Sequence, residues 1–281
     1  MGKLRIMSHN VWKNDINLPA WEEIGANCSA ATRAKGMVQV YTETNPDIIG
    51  FQEMSQLMAD EIIRGLESYD KHYTLIKGGD TPIMYRQDRL ELIDSDFQLY
   101  PTELPDFVGE FNNSGTKSYC IAVFSDKNDG KKLIFMSTHL WWMSGNPNSN
   151  NYQAGSDEAR VYQLNMAINR LEEFQAKYKC PTILVGDLNA NYNSTAVQNA
   201  LGRGYLHAHD IATDLIDEDW GYHYCFGDGY KPYIKKSFEY GIDHILVKYA
   251  PKNFVSRFER YTPDYYLPLS DHSPVFIDVI L

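Results

Sequence analysis

Short apolar runs separated by polar, turn-forming stretches dominate the chain, so strands are predicted more often than helices. Residues 4–8 form the first such run. Residues 29–41 follow a helical period, with Ser29 as candidate N-cap, Ala31, Ala34, Val38 and Tyr41 on one stripe, and Pro46 just beyond. Residues 47–51 (DIIGF) read as a buried strand, and residues 57–66 as a helix turning Leu57, Ile62, Ile63 and Leu66 inward. Residues 73–76, 81–85 and 90–97 predict three strands in a meander. Residues 119–125 and 132–138 flank an Asn-Asp-Gly turn and predict a hairpin. The clearest helix covers residues 158–178, where Val161, Leu164, Ile168, Leu171 and Phe174 recur at helical spacing. Residues 182–185, 242–247 and 275–279 complete the buried strands, and residues 254–261 predict an edge strand.

Strands and helices alternate, yet too many strands are short and hairpin-linked for a doubly wound parallel sheet. The pattern predicts an α+β fold, a four-layer α/β/β/α sandwich of two packed mixed sheets with helices outside. No repeat, low-complexity tract or compositional break divides the chain, so residues 1–281 are expected to form one domain.

Composition narrows the function. Hydrophobic residues make up 43% and charged residues 22%, which excludes a disordered or fibrous chain. The formal charge of −11 argues against a generic polyanion binder, whose affinity comes from a basic balance. It leaves room for a phosphate-bearing substrate where a metal ion supplies the positive charge. No run approaches the roughly 18 apolar residues of a membrane span. Cys28, Cys120, Cys180 and Cys225 are far apart and fit free thiols in a reducing cytoplasm; a secreted protein whose leader has been removed is the alternative.

The informative residues stand at strand ends. Asn10 follows the first strand, Glu53 the second, His139 the LIFMST run, and Asp187 and Asn189 the TILVG run. Asp243 opens IDHILV, while Asp271 and His272 precede SPVFIDV. Singly, each is an ordinary turn former. Together they give carboxylates, amides and imidazoles, with no Ser or Cys nucleophile among them. Hard oxygen ligands suit Mg²⁺ or Mn²⁺ and phosphoryl chemistry, and an Asp–His pair holds a defined tautomer.

The strings IMSHNVW, DIIGFQEM, MYRQDRLEL, STHLWW, ILVGDLNA, YGIDHILV and LSDHSPVFIDV span nearly the whole chain. In this order they resemble the endonuclease/exonuclease/phosphatase superfamily, which shares the pancreatic deoxyribonuclease fold. The resemblance implies a Mg²⁺- or Mn²⁺-dependent phosphoesterase. It places Asn10, Glu53 and Asp271 at the metal, Glu53 being the principal ligand. His139 would contact the scissile phosphate, Asp187 orient or deprotonate the attacking water, Asn189 hold a phosphate oxygen, and Asp243 and His272 form the family's Asp–His pair. Arg86 and Arg160 match positions where related members carry arginines, and are expected either to bind substrate or to form structural salt bridges. Trp12, where abasic-site endonucleases carry Asp or Asn, and His139, where they carry Tyr, pull away from DNA repair.

Two segments are expected to choose the substrate. Residues 143–157 form a long polar loop just after His139, with Trp141 and Trp142 between; the two are either core residues or one of them, with Trp142 the candidate, is a platform for a base or sugar. Residues 207–233 mix aromatics, including Trp220, Tyr222, His223 and Tyr224, with acids, including Asp210 and Asp228, and read equally as a surface hairpin; Lys231, Lys235 and Lys236 form the one basic cluster, which reads as a solvated face. The expected substrate is a small, lipid or sugar phosphate ester bound by a monomer. DNA or RNA cleavage by the same chemistry is the alternative, not favoured by the charge.

Overall fold

Strand β1 (Lys3–Asn10) is buried at every position from Ile6 onward, as a strand must be when it lies between two layers. The computed structural model describes residues 2–222, 225–226, 229–230, 234–266 and 268–281. His223, Tyr224, Asp228 and Lys231 of the predicted rim segments lie outside the described residues. After β1 come α1 (Pro19–Glu23), α2 (Ala30–Thr44), β2 (Ile48–Gln52), α3 (Gln56–Glu67), β3 (Tyr73–Ile76), β4 (Ile83–Arg86), β5 (Leu90–Leu99), β6 (Ser118–Asp126) and β7 (Lys132–His139). The chain continues through α4 (Ser156–Tyr178), β8 (Thr182–Asp187), α5 (Thr195–Gly202), β9 (Leu206–His207), α6 (Ala208–Ile211) and β10 (Asp214–Ile216). Short strands β11 (Trp220–Tyr222), β12 (Cys225–Phe226), β13 (Gly229–Tyr230) and β14 (Ile234–Lys236) precede β15 (Asp243–Lys248), β16 (Val255–Arg260) and β17 (Val275–Ile280).

A seven-stranded sheet runs β10-β16-β17-β1-β2-β4-β3, and a six-stranded sheet runs β5-β6-β7-β8-β15-β9. Their inner faces meet through Leu4, Ile6, Ile48, Phe135, Ile183 and Ile277. At Gly50 the sheets come so close that a Cβ would sit 2.6 Å from Val185 Cγ2. Met37, Tyr41, Met58 and Ile62 of α2 and α3 cover the outer face of the first sheet. Leu164, Ile168, Leu171 and Val197 of α4 and α5 cover the second. The expected α+β fold of two mixed sheets with helices outside is therefore present.

Strand polarity places the site. Parallel strands β1 and β2 end at the same rim as the parallel pair β7 and β8. Antiparallel neighbours β4, β6, β15 and β17 begin there.

Several expectations are corrected. Strand β5 does not continue a meander with β3 and β4 but crosses to the other sheet beside β6. Strand β16 is not an edge, because β10 pairs along its far side. Leu57 is exposed; Met58 and Ala59 take the inward positions with Ile62 and Leu66. On α2, Ala31 faces outward and Arg33 inward. The Arg33 guanidinium uses all five N–H donors on backbone carbonyls. It bonds Cys28 O (2.8 Å), Val11 O (2.6 Å), Leu269 O (2.8 Å), Trp12 O (2.8 Å) and Asn14 O (2.7 Å).

Buried histidines fill other polar positions. His244 Nε2 donates to Ala190 O (2.7 Å), so its Nδ1 accepts from His207 Nε2 (3.0 Å). His207 Nδ1 in turn lies 3.3 Å from His209 N, which donates to it. His9 bridges the Tyr41 and Tyr266 hydroxyls. Burial holds all three imidazoles neutral, with His9 lowered to about 3, His244 to about 4 and His207 well below its ordinary value. Below pH ~6.5 the unfolded chain therefore takes up protons the folded one refuses, at about 1.4 kcal/mol per group per pH unit. Asp271, raised to about 6 chiefly by burial, takes up one proton in the folded state, and His272 and His209, both raised, are protonated more readily in the folded state than in the unfolded one; all three offset part of this. The urea midpoint is expected to drop between pH 7 and pH 5, by on the order of 3 kcal/mol in unfolding free energy. An unchanged midpoint across that range would contradict the neutral assignments.

Candidate active site

Three turns leaving the shared rim adopt left-handed backbone at non-glycine residues: Trp12 (φ 54°) after β1, Glu53 (φ 57°) after β2 and Asn189 (φ 46°) after β8. Such strain persists where surrounding structure fixes it, and it gathers at sites. Here it accompanies the turns that carry Glu53 and Asn189 into one cavity of about 500 Å³.

Asp187 lies at the centre. Asn10 Nδ2 lies 3.1 Å from Asp187 Oδ2 and 3.2 Å from Glu53 Oε1, so the amide orients both carboxylates. The Asn10 oxygen accepts from Trp12 N (3.0 Å), so it faces the turn rather than the carboxylates. Asn189 N donates to Asp187 Oδ1 (2.8 Å), and Asn189 Nδ2 to Leu140 O (3.1 Å). Two imidazoles flank Asp187, with His139 Nε2 at 3.5 Å and His272 Nε2 at 3.7 Å. Parallel register sets His139 directly beside Asp187. One step earlier, Gly186 has no space for a side chain, since its Cβ would fall 2.0 Å from Thr138 O.

His272 Nδ1 donates to both Asp243 oxygens (3.0 and 2.9 Å). Burial alone would lower the His272 pKa, but Asp243, Asp187 and Asp271 outweigh it and hold the imidazole protonated well above its ordinary range. Ser270 Oγ donates to Asn10 O (2.8 Å), tying the Asp271–His272 turn to the end of β1.

His139 has two partners that the sequence reading missed. Its Nδ1 donates to Asp80 Oδ2 (3.1 Å), and its Nε2 accepts from Lys117 Nζ (2.6 Å). Burial opposes the Asp80 charge, but His139, Lys117 and Lys13 prevail and hold the carboxyl below its usual range. Burial lowers the Lys117 pKa despite the opposing carboxylates of Glu53, Asp187 and Asp80. Asp80 and Lys117 precede β4 and β6. The signal that finds them is a polar residue just before an antiparallel strand, close to the signal Asp243 gives as the first residue of β15.

Glu53, Asp187 and Asp271 line the cavity and offer hard oxygens, and ligand atoms of Glu53, His139 and Asp187 lie within 4.8 Å of one another. Asp271 is pushed up to about 6 by burial first, then by the Glu53 and Asp187 charges, although His272 opposes the shift. A cation among these carboxyls would relieve that repulsion, so the donor set fits a hard divalent ion.

Trp142 is 49% exposed and lines the cavity, whereas Trp141 is 1% exposed and belongs to the core. His244, on the opposite face of its strand from Asp243, turns away to Ala190 and His207. The two arginines are not brought to the site. Arg86 ends β4 at the far rim, because β4 runs antiparallel to β2, and it pairs there with Asp88 and Asp47. Arg160 is buried beneath the loop after His139, where it donates to Trp141 O (3.0 Å) and Met143 O (2.7 Å).

A sequence profile of the endonuclease/exonuclease/phosphatase family matches residues 7–272. No curated protein sequence matches the chain. Among solved structures, a family protein from Bacteroides thetaiotaomicron superposes with a TM-score of 0.72 at 18% identity, covering 99% of this chain and 97% of that one. The mannosyl-6-phosphatase of Bacteroides thetaiotaomicron VPI-5482 gives 0.73 at 18% identity, covering 99% and 100%. D. rerio TDP2 complexed with a single-strand DNA product gives 0.64 at 19% identity, covering 100% of both chains. At these identities the likeness speaks for the fold, while the profile match speaks for descent. The chain belongs to the endonuclease/exonuclease/phosphatase family of metal-dependent hydrolases.

Proposed function

We propose that the protein is a Mg²⁺- or Mn²⁺-dependent phosphoesterase that hydrolyses a small phospho-substrate by attack of water. The observation that carries this is the convergence of Glu53, His139, Asp187, Asn189, Asp271 and His272 on one cavity, with Asp243 behind His272. Glu53 and Asp271 would hold the metal, with Asn10 setting the carboxylates. When bound, the metal polarises a phosphoryl oxygen and stabilises the leaving oxygen.

Asp187 orients the attacking water and takes its proton. His272 keeps a positive charge beside Asp187, and Asp243 fixes its ring. Asn189 holds a phosphoryl oxygen. His139, oriented by Asp80, faces the scissile phosphate, and Lys117 adds an ammonium beside it. Likeness in fold to a mannosyl-6-phosphatase supports a sugar phosphate as substrate. Likeness to TDP2 bound to single-strand DNA supports the nuclease alternative. The buried free thiols Cys28, Cys120 and Cys180 suit a reducing cytoplasm.

The test is a panel of phosphomonoesters, phosphodiesters and oligonucleotides with Mg²⁺, with Mn²⁺ and with EDTA. Turnover of small esters that EDTA abolishes and either metal restores is the expected result. Preferred oligonucleotide cleavage at low salt would transfer the assignment to a nuclease. Absence of metal-dependent turnover throughout would refute both.

A further inference from the structure

We propose that the cavity accepts a phosphorylated sugar or polyol, its alcohol part seated on a wall built by residues 102–117 and 142–155. This deepens the phosphoesterase reading and rests on it for the position of the phosphate.

The wall is a built structure. The polar loop after His139 folds on itself through Ser144 N to Asn151 O (3.0 Å) and Gln153 N to Ser144 O (2.9 Å). Its Gln153 accepts from Trp141 Nε1 (3.1 Å) and donates to Glu110 O (3.2 Å), joining it to the other segment. Leu104, Phe111, Trp141 and Ala159 pack beneath as a small separate core. A binding surface fixed before the ligand arrives loses less entropy on binding.

What this wall offers the cavity is one half-exposed indole and several short polar groups. Trp142 lies three residues after His139 and is half-exposed. Asn151, Ser114 and Thr116 line the cavity with it, the two hydroxyls 2.8 Å apart. Thr116 adjoins Lys117, so the hydroxyl pair begins next to the proposed phosphate position. A sugar ring has an apolar face for an indole and a hydroxyl edge for amides and hydroxyls.

A nucleic-acid strand requires successive stacking platforms and a basic track. The other cavity indole, Trp12, is buried, stacks on Trp21 (centroids 6.0 Å apart) and is covered by Arg33 (4.7 Å). Among the described residues lining the cavity, only Lys13 and Lys117 bring lysine or arginine charge.

The experiment is calorimetric binding of a hexose 6-phosphate and of ethyl phosphate to metal-loaded Asp187→Asn protein, with and without Trp142→Ala or Asn151→Ala. The hexose phosphate is expected to bind about tenfold tighter than ethyl phosphate, and either wall substitution to remove most of that ratio. Equal binding of the two esters, or a ratio untouched by both substitutions, overturns the proposal. So does tighter binding of a single-stranded tetranucleotide that Trp142→Ala abolishes, which would assign the wall to bases. Because binding is read without turnover, these outcomes stay distinct from failure of the phosphoesterase reading, which the substrate panel decides.

Discussion

His272→Ala is expected to lower kcat/KM by about 10²- to 10⁴-fold at saturating metal, the range for removing a positioned acid–base or charge-stabilising group. In barrier terms that is roughly 3–5 kcal/mol. The imidazolium stands 3.7 Å from Asp187 and is locked by Asp243 at 2.9 Å. Its loss leaves Asp187, Asp243 and Asp271 without the positive charge that balances them. A buried carboxylate without its partner costs stability as well as rate, so the melting temperature must be read beside the kinetics. Asp243→Asn separates the two effects. It keeps the shape but allows the ring to turn over, and should lose rate with a smaller loss of stability. A folded His272→Ala protein with turnover within threefold of wild type would remove His272 from the mechanism.

The second large effect is expected far from the chemistry. Arg33→Met should destabilise the protein by roughly 3 kcal/mol or more, because five carbonyls lose a charged donor at once. For a chain of this size that is a fall of about 6–12 °C in melting temperature. Three of the carbonyls, those of Val11, Trp12 and Asn14, lie after β1, one belongs to Cys28 just before α2, and one to Leu269, two residues before Asp271. Arg33 thus clamps the two segments that bring Asn10 and Asp271 together. Arg33→Lys should rescue little, since one ammonium cannot reproduce a planar fork of five donors. Lys35→Met on the exposed side of the same helix should stay within about 0.5 kcal/mol of wild type. Equal melting temperatures for Arg33→Met and wild type would show that the clamp carries no weight.

How much of this was legible in the sequence follows from the physics of each element. Apolar runs report burial, so β1, β2, β6, β7, β8 and β17 could be read almost to the residue. Pairing across the fold leaves no local trace, so nothing in residues 90–99 indicates that β5 joins the other sheet. Polar residues after strands pointed to Glu53, His139, Asp187 and Asn189, all of which reach the cavity. Asp80 and Lys117 escaped because their place depends on which strands run antiparallel. Arg86 was misplaced for the same reason, since an antiparallel strand carries its last residue away from the rim. Nothing local in the sequence tells Arg160 and Arg33 from surface helix arginines; only tertiary packing shows that backbone carbonyls take every donor of Arg33, and that two carbonyls and the Asp157 carboxylate hold Arg160.

The central position of β1 has a consequence for how the protein is made. Its two neighbours are β2, which follows within a few dozen residues, and β17, which leaves the ribosome after every other strand of that sheet. Until β17 emerges, one edge of β1 has no backbone partner, and such edges invite pairing with other chains. Asp271 and His272 arrive immediately before β17, so nascent chains lack both the closing strand and part of the proposed active site. A ribosome stalled before residue 271 would display a partly open sheet without hydrolytic activity, and release of the last strand would complete both together.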